Sequence, residues 1–92
     1  MGRSAIVWTD YMRYRVRLRG FDLAETEQVV RHSSERYLDA VTGRRIAVGR
    51  VGQRLVVVPY DQDGSVLTPV TIHATSRQQI NVRVKSGRFT NE

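Results

Sequence analysis

Residues 70–83 read V-T-I-H-A-T-S-R-Q-Q-I-N-V-R, an alternating strand that turns within two residues into a helix start. His73, Thr75, Ser76 and Arg77 stand at that junction. Histidine alone carries a charge whose ordinary titration falls near neutrality, so His73 is suited to moving a proton. Thr75 and Ser76 lie where free amides and the helix dipole favour an anion. Arginine offers a planar fork that matches phosphate oxygens in pairs. The group describes a phosphate cradle with a base inside it.

Composition narrows the partners. The chain has 92 residues, 40% hydrophobic and 26% charged, as expected of one soluble globular domain spanning residues 1–92. A chain of this size has one modest core and no room for an enclosed cofactor, so none is expected. There is no cysteine and only two histidines, far apart, which argues against a disulfide framework and a metal site. Apolar runs of four or five residues are too short for a membrane span or a secretory signal, so a cytoplasmic protein is expected. The net charge is +6, and fourteen of the fifteen basic residues are arginine. The charge is segregated: residues 1–20 (five Arg, one Asp) carry +4, residues 21–40 carry −3 and residues 41–60 carry +4. A basic face opposite an acidic helix fits an anionic partner such as nucleic acid.

The elements that must position the junction can be read in turn. Ala5–Trp8 is a short strand, and Thr9 or Asp10 caps a helix ending before Gly20. Residues Arg13–Arg19 nevertheless alternate with period two, which is a strand pattern, and the residues alone leave that conflict open. Asp22-Leu-Ala-Glu25 starts a second helix through His32. Strands follow over 36–40, 44–51, 54–60 and 66–74, with Val41-Thr-Gly43 and Gly52-Gln53 as turns. The Gly52-Gln53 turn pairs Val48 with Val57 and Arg45 with Tyr60. A four-residue loop, Gln62–Ser65, then puts Leu67, Thr71 and His73 on the face of Arg54, Val56, Val58 and Tyr60. Arg54 and His73 become cross-strand neighbours, and Arg45 and Tyr60 fall ~20 Å away at the other end. A third helix runs from Thr75 or Ser76 to about Lys85, closed by Gly87, with Arg83 near its C-terminus, where a cation is favourable in any case.

Three pieces of this pattern resemble the small bacterial toxins of the RelE/ParE superfamily, nearest to the BrnT-like group and related toxin-like domains. They are Arg15-x3-Arg19-Gly20 before a capped helix, Gly43-Arg-Arg-Ile-Ala-Val-Gly49 with Leu55-Val-Val-Val58, and Thr71-Ile-His-Ala-Thr75 with Arg77 and Arg83. The resemblance implies an α+β fold: a small antiparallel sheet of four to five strands, two N-terminal helices and a C-terminal helix. It decides for a helix over 10–19. One departure stands out, since Tyr11-Met12 occupies a place where relatives often carry His-Ala. The implied activity is metal-independent cleavage of RNA through its 2′-OH, with His73, Arg77 and Arg54 catalytic. Thr75, Ser76, Arg83, Arg45 and Tyr60 would bind phosphate or nucleic acid. An acidic antitoxin protein is the implied partner, and a homodimer is left open. The alternative is a non-catalytic basic module of the same fold that binds nucleic acid or protein.

Overall fold

The computed structural model describes residues 4–92. Strand β1 (Ala5–Ile6) leads into helices α1 (Asp10–Leu18) and α2 (Leu23–His32). Thr9 Oγ1 accepts the Met12 amide and the Asp22 carboxylate accepts the Glu25 amide, so both caps fall where expected. Over Arg13–Arg19 the helix wins. Met12 and Val16, one turn apart, are its buried residues, and capping plus that one stripe outweigh the alternation.

The chain then forms β2 (Glu35–Asp39), β3 (Arg45–Val51), β4 (Arg54–Asp63), β5 (Val66–Pro69) and β6 (His73–Ala74). Helix α3 (Arg77–Lys85), capped by Ser76, and β7 (Phe89–Asn91) complete it. The strand order is β1-β5-β4-β3-β2-β7, with β6 also paired to β4. The α+β class and three helices match the expectation. The sheet does not: it has seven strands instead of four or five, and it is mixed, because β1 runs parallel to β5. The strand expected over 66–74 divides into β5 and β6, and β7, of three residues, is too short to show a period.

Both faces of the sheet are covered. Ala47, Val51, Val56, Val58, Tyr60 and Leu67 pack with Met12, Val16, Phe21, Val29 and Val30 of the α1–α2 layer. On the other face Ile46, Val48 and Val57 pack with Ile80 of α3 and with Phe89. The β3–β4 register is the expected one, with Arg45 opposite Tyr60 and Val48 opposite Val57 around Gly52, whose φ of 62° suits the turn.

The next hairpin departs from expectation twice. Strand β4 continues to Asp63, which pairs with Val66, so the link is Gly64-Ser65 and not a four-residue loop. Because the loop shortens by two residues, Leu67 keeps its expected face. The second departure reverses a face. Tyr60 lies opposite Pro69 but Val57 lies opposite His73, so three residues on one side face two on the other. That is a bulge over Val70–Ile72. Its cause is Pro59, whose carbonyl accepts the Val70 amide at 2.8 Å but which has no N–H to return. Ile72 therefore turns into the α1–α2 core, and His73 joins the Val57 face. His73 and Arg54 are not cross-strand neighbours; Arg54 pairs with Val51.

Gly49 sets how closely α2 approaches the sheet. A Cβ there would sit 2.9 Å from Val29 Cγ2 and 3.0 Å from Val29 Cγ1. Gly49→Ala is expected to destabilise the fold by about 1–3 kcal/mol in urea denaturation. Combining it with Val29→Ala should cost less than the two single changes added together, since the clash is between those two side chains.

Candidate functional site

The bulge delivers His73 to a groove of about 530 Å³ between α3 and the sheet. Val57, Pro59, Thr71 and His73 line its sheet side, and Gln79 and Arg83 of α3 stand opposite, with Arg44 and Arg88 toward one end. His73 is half-buried. Burial, followed by the charges of Arg19, Arg15 and Arg83, pushes its imidazole below the usual value of 6.5. At neutral pH the ring is therefore uncharged and able to accept a proton.

Of the arginines expected beside His73, neither Arg77 nor Arg54 lines the groove. Arg77, the first residue of α3, holds Glu35 of β2 at 2.5 Å, and Glu35 also accepts the Tyr37 hydroxyl at 2.7 Å. The Arg77 hydrogen bond holds the Glu35 carboxyl below its ordinary range, against the upward push of burial. This ion pair ties the start of α3 to the sheet. Arg54 lies on the opposite face, over the Phe21 ring at 4.4 Å, and donates to the Arg19 carbonyl at 3.2 Å. It fastens the C-terminal end of α1.

The remaining residues divide by location. Ser76 caps α3 by accepting the Gln79 amide, and the Thr75 hydroxyl donates to Gln79 Oε1 at 3.0 Å. Arg83 reaches into the groove from α3, with its guanidinium 5.6 Å from the Phe89 ring centroid. Arg45 and Tyr60 are paired at the far end, as expected. Arg45 forms an ion pair with Glu92 at 2.7 Å, while Tyr60 is buried and accepts from Arg36 at 2.9 Å. Arg88 grips the buried carboxylate of Asp39 with two hydrogen bonds of 3.2 Å.

Reasoning on the sheet alone missed Arg15 and Arg19, two of the three charges acting on His73. Their spacing of four was the available signal. On a helix it brings the two within about 6 Å of each other, whereas on a strand they would lie about 13 Å apart. Among the described residues no group of three or more His, Cys, Asp or Glu is placed to hold a metal ion, and no helix is long and apolar enough to cross a membrane.

The depressed His73 value predicts a pH dependence of stability. A ring kept neutral in the fold binds fewer protons than in the unfolded chain, so stability rises with pH across the interval between the two values. Its contribution is fully present above about 6.5 and is lost as the pH falls from there through the folded value. Urea midpoints of the wild type minus those of His73→Gln should show that fall, and the His73 ring titration followed by NMR should move upward in Arg83→Gln. No protein-family model, no curated protein and no solved structure matches the chain.

Proposed function

We propose that the protein is a toxin-like, metal-independent endoribonuclease of the RelE/ParE kind that cuts RNA through its own 2′-OH. The observation that carries this reading is a neutral His73 in an open groove, with three guanidinium groups as the charges acting on it. The likeness in residues set out above and the α+β architecture add support.

In this mechanism His73 takes the proton of the 2′-OH as that oxygen attacks phosphorus. The 2′-O–P bond forms and the P–O5′ bond breaks, leaving a 2′,3′-cyclic phosphate. The proton held by His73 passes to the departing 5′-oxygen. Arg83 lies in the groove to meet the charge that grows on the phosphorane, and Arg15 and Arg19 add to the field. Arg77 and Arg54 act as positioning residues, one holding α3 to β2 and the other holding the Arg19 carbonyl. A basic groove of this kind would be silenced by an acidic antitoxin segment laid across it.

A second reading, binding without turnover, is favoured by one observation. The charges acting on His73 are all arginines, so a single ring must serve as both base and acid.

Incubation of the purified protein with single-stranded RNA in chelator separates the two. Cleavage should yield 2′,3′-cyclic phosphate ends and fall by about 10²–10⁴-fold in His73→Ala. Arg83→Gln should lower it about 10²-fold. The acidic limb of the pH profile should lie below 6.5, with a plateau by neutrality. Intact RNA that stays bound at low salt would reject the nuclease and leave the binding module.

A further inference from the structure

Helix α1 presents two stripes. Met12 and Val16 enter the core, while Tyr11, Tyr14 and Leu18 form an outward stripe that is 58%, 52% and 58% exposed. Three large side chains at spacings of three and four make one continuous face, unlike apolar residues scattered singly on a surface. Arginines flank that face. Arg13, Arg15, Arg17 and Arg19 form no ion pair among the described residues, and Asp10 is the helix's one acidic residue. The Arg15 guanidinium lies 5.9 Å from the Tyr11 ring centroid, and its Nε is buried with no hydrogen-bond partner. An N–H withdrawn from water and left unmatched is a costly arrangement.

We propose that this outer face of α1 is a platform for single-stranded RNA, on which Tyr11 and Tyr14 stack bases and the flanking arginines take the phosphates. The proposal rests on the reading of the protein as one that acts on RNA, and it extends that reading to a surface outside the groove. Charge selects a polyanion, and exposed aromatic rings interleaved with arginine select one that carries flat bases. Bases stacked inside a duplex are closed to these rings, so the strand must be single.

The test measures fluorescence anisotropy with a labelled 2′-O-methyl oligouridine, which has no free 2′-OH and cannot be cut. Tyr11→Ala and Tyr14→Ala should each weaken binding at least about 10-fold, since stacking contributes on that order per base. The Phe variants should bind like the wild type. Thermal midpoints should stay level, because both side chains are exposed. Inorganic polyphosphate and duplex RNA should bind more weakly than the single strand and respond little to the Ala variants. Unchanged affinity in both Ala variants would overturn the proposal. So would polyphosphate binding as tight as the oligonucleotide, which would reduce the face to charge alone. Tyrosine-dependent binding of poly-glutamate, stronger than that of the oligonucleotide, would assign the face to an acidic protein and also overturn it. Cleavage is scored separately on unmodified RNA. A protein that binds through the tyrosines and cuts nothing keeps the platform and loses the nuclease. One that cuts with a KM indifferent to both tyrosines keeps the nuclease and loses the platform.

Discussion

A single missing hydrogen decides the geometry of the groove. Pro59 sits within the longest strand and offers its neighbour an acceptor but no donor. An unbroken ladder from Val66 to Ala74 would need that donor, and the chain relieves the defect by inserting one residue opposite it. Every side chain beyond the insertion changes face. Ile72 becomes part of the larger core, where it is fully buried, and His73 moves beneath α3. Restoring a donor at Pro59 would remove the reason for the bulge, and an unbulged strand would aim His73 at the α1–α2 layer.

The arginines that dominate the composition serve different ends. Arg36 donates to the Val30 carbonyl at 2.6 Å, the Ser33 carbonyl at 2.9 Å and the Tyr60 hydroxyl. One side chain thereby closes the end of α2, whose last carbonyls lack partners in the helix, and anchors it to the sheet. Arg77, Arg88, Arg44 and Arg45 each meet a carboxylate, and Arg54 meets a carbonyl. The net charge of the chain thus overstates the positive charge free to meet a ligand on most of the surface. The concentration on α1 is different in kind, because Arg13, Arg17 and Arg19 are exposed and Tyr11 and Tyr14 are exposed with them.

Local chemistry was legible in the sequence; distant geometry was only partly so. Thr9, Asp22 and Ser76 announced three helix starts because capping depends on the next three residues alone. Gly43 and Gly52 announced their turns for the same reason, since each sits at a positive φ that other residues avoid. The β3–β4 register followed from its turn. The placement of His73 required knowing how a strand answers a proline two positions beyond its partner Val57, and no residue near His73 carries that information. β7 was invisible because it is stabilised by a partner remote in sequence and not by a pattern of its own, and β1, though expected as a strand, gave no sign of its partner β5. Arg15 and Arg19 were misjudged because their meaning depends on the period of the backbone carrying them.

The pairing of Ala5 with Val66 also imposes an order on folding. The β3–β4 hairpin joins neighbours through a two-residue turn and can close within about 1–10 μs. Strand β1 must wait for β5. At about 5–20 residues per second of synthesis, the waiting time between the two is about 3–12 s. During that interval Ile6 and Trp8, which pack against the larger core in the finished fold, have no sheet to join. The first strand made is among the last to be placed, and a nascent chain halted before Leu67 carries those two side chains unburied.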